Sequence, residues 1–344
     1  MTWSPCLVRS CGVSLSLSLG HPLIDDYLAF VAARARPNTH LAVGYDLKVF
    51  FSVTGKEPAA VTTADVLDFI RLQLDGCARK LDPAASDVMG AAPKRGLSPR
   101  TVKRRLASLS GLYAYLLACG EAGVMRNPVP SGLASRRGRH FGGSYALVRA
   151  PRTLPRVLTP EAVTSLLAAL RSHRDRAMMQ AMLLGGLRRC EVLALRFQDL
   201  RLGENRLFIL EGKGGHQRIV PIAQAFFATL AQYLASERPR SSATDKVFVV
   251  LKGKNRGLPL SAAGLDEVLQ GARNRAGIAR VTCHALRHTC LTRLREAGMA
   301  LEAVQAQAGH RSIESTRIYL HLSSGWLANE YQQAIDKLDS ERST

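Results

Sequence analysis

Apolar positions recur at helical spacing through the first third of the chain. Ser98-Pro99 combines a capping hydroxyl with a proline at the first turn of a helix. From there apolar side chains fall three and four residues apart, which is typical of a helix with one face on a core. The members of this stripe are Val102, Leu106, Leu109, Tyr113 and Leu116. Shorter runs of the same kind before residue 75 predict three more helices, so we interpret residues 21–130 as a helical domain.

The helical pattern stops in residues 131–156, where Gly, Ser, Pro and Arg dominate. We interpret this segment as a basic linker between two domains. Beyond it, an apolar run that ends at Gly185-Gly186 predicts a buried helix. Two short strands are predicted at 206–210 and 217–222, around the Gly-rich turn E-G-K-G-G-H. The expected fold class is therefore mainly α, with a small antiparallel β-sheet in the second domain.

The two ends of the chain differ from its middle. Residues 1–20 alternate Ser and Leu after one arginine, and they lack the basic start and the cleavage site of a signal peptide. We expect an unstructured N-terminal extension there. Residues 323–344 repeat apolar side chains at helical spacing, which predicts an amphipathic C-terminal helix.

The net charge of the chain limits the classes of partner that it is expected to bind. Its 344 residues carry 47 Lys and Arg against 27 Asp and Glu, a formal net charge of +20. Such an excess indicates a polyanionic partner: DNA, RNA or an anionic membrane surface. A composition of 47% hydrophobic and 22% charged residues argues against a disordered basic tail. No apolar stretch reaches the length of a membrane span, and the seven scattered cysteines are typical of reduced thiols, so we expect a cytoplasmic protein.

The candidate chemistry is concentrated between residues 282 and 319. Thr282 and Gly298 are the expected cap and stop of one helix, and a second, shorter helix ends at Gly309. A third helix follows. Polar groups three and four residues apart share a helix face, so these elements present basic groups and a phenol close together. The residues concerned are His284, Arg287, His288, His310 and Tyr319.

These side chains suit one reaction. A phenol ionises near pH 10, so it is a poor nucleophile unless cations stabilise the phenolate. The planar fork of an arginine matches two oxygens of a phosphate. Together they favour attack of a tyrosine on a phosphodiester. Each residue alone has a simpler interpretation, a core tyrosine or a solvated basic face.

Two segments upstream carry further candidates. In G-L-R-x-x-E, Arg188 follows a double glycine at a helix entrance, where backbone N–H groups favour an anion. Glu191 lies three residues later, and such a pair is by itself an ordinary surface ion pair. Lys213 occupies the tip of the Gly-rich turn, where its ammonium is able to donate a proton or simply to solubilise a hairpin. The turn lacks the spacer and the hydroxyl residue of a nucleotide-binding P-loop.

The motifs H-A-L-R-H, A-G-H and T-R-I-Y, with G-L-R-x-x-E and the hairpin lysine upstream, resemble the signature of the tyrosine recombinases, the phage-integrase family. The resemblance implies a two-domain DNA clamp, with a helical core-binding domain at 21–130 and a catalytic domain at 157–322. It implies that Tyr319 attacks DNA and forms a 3′-phosphotyrosyl link. Ala308 stands where the family usually has leucine, a difference of helix packing.

The resemblance also implies a catalytic role for each of the other candidate residues. Arg188, Arg287 and His310 hold the non-bridging oxygens of the phosphate. His284 assists proton transfer, and Lys213 protonates the leaving 5′-oxygen. The residues expected to support this site are Glu191 and His288. No cofactor is implied, neither metal nor nucleotide.

The implied partner is double-stranded DNA with paired recombination sites, bound by a tetrameric synaptic complex associated with the nucleoid. The C-terminal helix at 323–344 docks on its own domain or, by the resemblance, on a neighbouring subunit. Basic residues at the start of the helix after Ser98 and in the linker are candidate phosphate contacts, or simply solvated cations. They are Arg100, Lys103, Arg104, Arg136, Arg137 and Arg139.

Three alternatives stay open. A type IB topoisomerase uses almost the same side chains to relax DNA without paired sites. A DNA-binding regulator keeps the fold without activity, although every expected catalytic position is present. A zinc site at Cys283, His284, His288 and Cys290 is disfavoured, because no second ligand pair lies at finger-like spacing.

Overall fold

The computed structural model divides the chain into two compact units, Met1–Arg152 and Thr153–Thr344. The residues that the structure describes are 3–11, 15–75, 96–121, 123–130, 147–149, 156–210 and 217–309. Within these, no helix combines the length and apolarity that a membrane span requires.

The first unit is built on the helices that the apolar pattern predicts. They are α1 (Pro22–Arg34), α2 (Pro37–Thr54), α3 (Thr63–Leu74) and α4 (Pro99–Ala118). Thr62 caps α3 in a capping box with Asp65, and the Ser98 hydroxyl accepts a hydrogen bond from the backbone N–H of Thr101 at the start of α4. All five apolar residues of the predicted α4 stripe are buried, so this prediction is confirmed.

The prediction of an unstructured N-terminal extension is wrong for its described part. β1 (Val8–Cys11) pairs antiparallel with β2 (Leu15–Ser18). Leu17 and Leu19 are buried in the core of the first unit, and the backbone N–H of Leu19 donates to Asp25 of α1 at 2.6 Å. The alternation of Ser and Leu is the period-two pattern of a strand with one buried face, which explains the error.

A buried carboxylate joins α2 to α4 in the first unit. Asp46 is 2% exposed, and it accepts hydrogen bonds from Arg104 at 2.6 Å and from the Ser108 hydroxyl at 2.9 Å. The Nε of Arg105 lies 3.7 Å from the same carboxylate. Burial raises the pKa of Asp46, and these partners act in the opposite direction. Arg104, a candidate DNA contact, is therefore already paired within the protein.

The second unit packs helices around α6 and adds a small sheet. Its elements are α5 (Pro160–Ala168), α6 (His173–Leu184), α7 (Arg189–Ala194), β3 (Leu200–Arg201), β4 (Arg206–Ile209), β5 (Arg218–Pro221), α8 (Gln224–Ser236), α9 (Ala262–Arg275), α10 (Cys283–Glu296) and α11 (Leu301–Ala308). The antiparallel sheet has the order β3-β4-β5. Met178, Met179 and Met182 of α6 are fully buried in the core of this unit. The predicted fold class, mainly α with a small antiparallel sheet, is confirmed.

Candidate active site

Helix α10 positions three of the predicted site residues, His284, Arg287 and His288. The Thr282 hydroxyl accepts a hydrogen bond from the backbone N–H of Ala285 at 3.1 Å, so the helix begins where its cap predicts. His284 is exposed, whereas Arg287 is only 2% exposed. Leu291, one turn after Arg287, is fully buried. Leu291 packs with Val304 and Ala308, so α11 covers this side of the helix.

A glycine turn brings Arg287 next to the start of α7. Helix α6 ends at Leu184 with Gly185 as its C-cap, and Gly186 follows with a left-handed φ of 65°. A Cβ at Gly186 would lie 3.2 Å from the Leu291 side chain, so glycine allows α10 to approach the turn. The carbonyl of Gly186 accepts a hydrogen bond from Arg287. Arg188 comes two residues later, as the N-cap of α7.

The carboxylate of Glu191 lies at the centre of this cluster, with a fully buried side chain. It accepts hydrogen bonds from the backbone N–H and the Nη1 of Arg188, both at 2.8 Å. Arg218 adds two more, Nη1 to Oε1 at 3.0 Å and Nη2 to Oε2 at 2.8 Å. The Nη1 of Arg287 lies 3.9 Å from Oε2. Burial alone would raise the pKa of Glu191, but the hydrogen bonds and charge of Arg218, together with Arg188, lower it to about 2.

The C-terminus of α11 meets the same arginines. Its last carbonyls lack helical partners and carry the negative end of the helix dipole. Arg218 Nε donates to the carbonyl of Gln307 at 3.2 Å, Arg287 Nη2 to that of Ala308 at 2.5 Å, and Arg188 Nη2 to that of Gly309 at 3.2 Å. Gly309 ends the helix with a φ of 61°, as predicted.

The two histidines of α10 form a pair. Their Nε2 atoms lie 2.8 Å apart, so one ring donates and the other accepts. Part of the His284 ring is exposed, but burial of the rest of the ring lowers its pKa, and the charges of Arg287 and Arg188 lower it further. His284 is therefore neutral at pH 7, in a form that accepts a proton. The fixed guanidinium groups beside it favour a bound phosphate and stabilise negative charge that grows on its oxygens.

Known proteins share this sequence pattern. The phage integrase family matches residues 156–325. The tyrosine recombinase XerD of Listeria innocua serovar 6a is 30% identical over 326 residues, covering 90% of this chain and 97% of that protein. The chain belongs to the tyrosine recombinases. It is accordingly an enzyme, a tyrosine-type site-specific recombinase. The tyrosine recombinase XerC of Xanthomonas campestris pv. campestris strain B100 is 31% identical over 258 residues, 74% of each chain.

Solved structures share the fold of the recombinase. The Tn1549 transposon integrase in complex with transposon right end DNA is 17% identical, with a TM-score of 0.66 over 91% of this chain and 99% of that one. The XerH site-specific recombinase bound to a palindromic difH substrate is 21% identical, with a TM-score of 0.63 over 87% of this chain and 81% of that one. At this level of identity the similarity concerns the fold.

The structure gathers only part of the predicted site of the recombinase. Arg188, Glu191, Arg287 and His284 lie together, with His288 beside His284. Arg100 and Lys103 are exposed on α4. The remaining predicted residues lie outside the described part of the chain: Lys213, His310, Tyr319, Arg136, Arg137 and Arg139.

Sequence reasoning missed Arg218. In β5 the buried side chains alternate, so Arg218 shares a face with Val220, which is fully buried. A positive charge at a core-facing strand position was the signal that would have found it, because such a charge requires a buried partner.

Proposed function

We propose that this recombinase cuts and rejoins double-stranded DNA through a 3′-phosphotyrosyl intermediate, with Tyr319 as the nucleophile. The observation that supports this is the clustering of Arg188 and Arg287 around the buried Glu191 carboxylate. Both arginines also bind the helix end that leads directly into His310. Motifs far apart in the sequence thus converge on one positively charged site.

The proposed reaction exchanges one phosphodiester for another. The Tyr319 oxygen attacks the scissile phosphorus while the bond to the 5′-oxygen breaks. His284 assists removal of the phenol proton, and Lys213 protonates the departing 5′-oxygen. Arg188, Arg287 and His310 stabilise the charge on the non-bridging oxygens. The tyrosyl phosphodiester conserves the bond energy, so a 5′-hydroxyl from a second duplex reverses the step without ATP.

The proposed reaction requires two DNA sites and several copies of the chain. Arg100, Lys103 and the linker arginines contact backbone phosphates, which positions the duplex without reading its sequence. Four copies hold two sites together, with the segment 323–344 on a neighbouring subunit. The biological setting that we propose is integration, excision or transposition of a mobile element, and paired inverted repeats beside the gene would support it. Chromosome resolution is the competing setting.

A nicked suicide substrate tests the chemistry. Genomic fragments retained by the Tyr319→Phe variant supply the target sites, since this variant keeps every cation of the site. On a nicked version of such a site the short fragment dissociates after cleavage and traps the covalent adduct. Wild-type protein is expected to give a band of reduced mobility on a denaturing gel, and Tyr319→Phe none at equal DNA binding. The matched control Tyr331→Phe retains the adduct.

Two results would contradict the proposal. A covalent adduct that persists in Tyr319→Phe would exclude this nucleophile. A wild-type protein that binds its sites without forming any adduct would indicate a regulator. Relaxation of a supercoiled plasmid that lacks target sites would instead indicate a type IB topoisomerase.

A further inference from the structure

Arg218 has no role in the reaction proposed above, yet its side chain contacts two other parts of the site, Glu191 and the end of α11. It lies at the first position of β5, directly after the segment that carries Lys213. Its side chain is 10% exposed. Its guanidinium spans both oxygens of Glu191 and, through Nε, the carbonyl of Gln307. One residue therefore connects the strand, the carboxylate and the end of α11.

The contact with Glu191 fixes the direction of the carboxylate. Two parallel hydrogen bonds from one guanidinium hold the carboxylate plane more strictly than a single bond would. The same two oxygens receive the backbone N–H and Nη1 of Arg188. Glu191 orients the Arg188 guanidinium through these hydrogen bonds. Because Arg218 fixes the Glu191 carboxylate, the orientation of Arg188 also depends on Arg218.

The second contact of Arg218 is with the end of α11. A Cβ at Gly309 would lie 3.0 Å from the Cδ and Nη1 of Arg218, so the helix end packs directly on this side chain. Gln307 strengthens the junction, because its Nε2 donates to the carbonyls of Gly185 and Pro221 at 3.1 and 3.0 Å. The segment that enters His310 thus begins from a point that Arg218 helps to define.

We propose that Arg218 is a positioning residue for DNA cleavage, which orients Arg188 through Glu191 and sets the end of α11 through Gln307. It acts without touching the phosphate, since its guanidinium is directed to the carboxylate and the helix carbonyl. The inference rests on the proposed function, because adduct formation is its readout.

The test compares the single-turnover rate of adduct formation in Arg218→Met, Glu191→Gln and the double variant. Misplacement of a catalytic group by about 1 Å costs on the order of 100-fold in rate, so each single variant is expected to be about 10- to 100-fold slower. DNA affinity is expected to change less than about 2-fold. If Arg218 acts through Glu191, the double variant is no slower than Glu191→Gln alone.

Two further variants separate positioning from folding. Arg218→Lys keeps the charge but lacks the fork, so it is expected to recover only part of the rate. Gly309→Ala inserts a Cβ against Arg218, whereas Gly298→Ala strains a similar left-handed position with no described atom within 4 Å of the added Cβ. We expect slower cleavage in Gly309→Ala than in Gly298→Ala. This pair remains informative if Arg218→Met fails to fold.

The outcomes distinguish this inference from the proposed function. Absence of an adduct with wild-type protein contradicts the proposed function itself. A normal wild-type adduct with unchanged rates in the Arg218 variants overturns only the positioning role. Multiplied losses in the double variant, or an equal loss of DNA affinity, would show that Arg218 acts on the phosphate independently of Glu191.

Discussion

Glu191 accepts hydrogen bonds on both of its oxygens from arginines of two different elements, and a third arginine lies 3.9 Å away. A buried carboxylate surrounded in this way stays ionised and fixes the guanidinium groups around it. Sequence spacing indicates the contact of Glu191 with Arg188 but describes it as a weak surface pair. Its burial depends on Arg218 and on α11, which spacing within α7 does not reveal.

Glu191→Gln is expected to remove a pH-dependent contribution to stability. A pKa lowered from 4.5 to about 2 corresponds to about 3 kcal/mol of stabilisation at neutral pH. The lowered pKa means that this contribution is complete above pH 4.5 and is lost as pH falls toward 2. Urea unfolding should show a wild-type advantage that is equal at pH 7 and pH 5 and smaller at pH 4. Glu204→Gln, at an exposed ion pair, should leave the pH dependence unchanged.

The protonation of His284 is expected to set the pH dependence of adduct formation. Its pKa is lowered by partial burial and by the charges of Arg287 and Arg188, and its ring is hydrogen-bonded to His288. Because it titrates below its ordinary value of 6.5, it remains neutral from pH 6.5 to 8. The rate of adduct formation should therefore fall only below about pH 6.5, and His284→Asn should lack this acid limb. An acid limb with a midpoint above 6.5, or one that persists in His284→Asn, would contradict its role in proton transfer.

At the scale of elements, α10 and α11 act as one unit of the site. Leu291 of α10 packs on Val304 and Ala308 of α11, so a helix whose pattern indicates one polar face is buried on two sides. The Ala at 308, where the family usually has leucine, lies fully buried in this contact. Three arginines then donate hydrogen bonds to the carbonyls at the C-terminus of α11, which have no partners within the helix.

Removal of a helix cap tests whether α10 carries the site. Thr282→Ala is expected to lower the free energy of unfolding by about 1 kcal/mol, because the first turn loses the hydroxyl that accepts from Ala285. Ser261→Ala removes the equivalent cap of α9 and should cost a similar amount. Only Thr282→Ala should also slow adduct formation, since His284 lies in the turn that it caps. Equal rates in the two variants would contradict this assignment.

At the scale of the whole molecule, the net charge of +20 provides affinity for DNA that depends on salt. Two cations of α4 contribute differently. Both Lys103 and Arg104 are exposed, but Arg104 also donates a hydrogen bond to the buried Asp46. Net charge alone does not distinguish them.

The two variants Lys103→Ala and Arg104→Ala should separate these contributions. Lys103→Ala is expected to weaken binding to all sequences and to reduce the slope of log K against log salt by about 1. Arg104→Ala is expected to lower the stability of the first unit by about 1–3 kcal/mol, because Asp46 loses a hydrogen-bond partner while buried. DNA titrations at several salt concentrations and urea unfolding measure both. A salt slope unchanged by Lys103→Ala would exclude its phosphate contact.

Sequence patterns predicted the helices and strands of the fold better than the contacts between them. The α4 stripe, the hairpin strands and the Gly309 helix end follow from local rules of period, turn and cap. The buried position of Arg287 and the whole role of Arg218 depend on contacts between segments far apart in the chain. The prediction for residues 1–20 is wrong for a different reason. The alternation of Ser and Leu is itself a strand pattern, but the segment was interpreted by its composition alone.

Identification of the bond between protein and DNA tests the central claim most directly. The trapped adduct is digested with nuclease and protease, and the remaining nucleotide-bearing peptide is sequenced by mass spectrometry. The account predicts a peptide that contains Tyr319, linked to the 3′ end of the cleaved strand and released with a free 5′-hydroxyl on the other fragment. A link to a 5′ phosphate, or to any other residue, would contradict it.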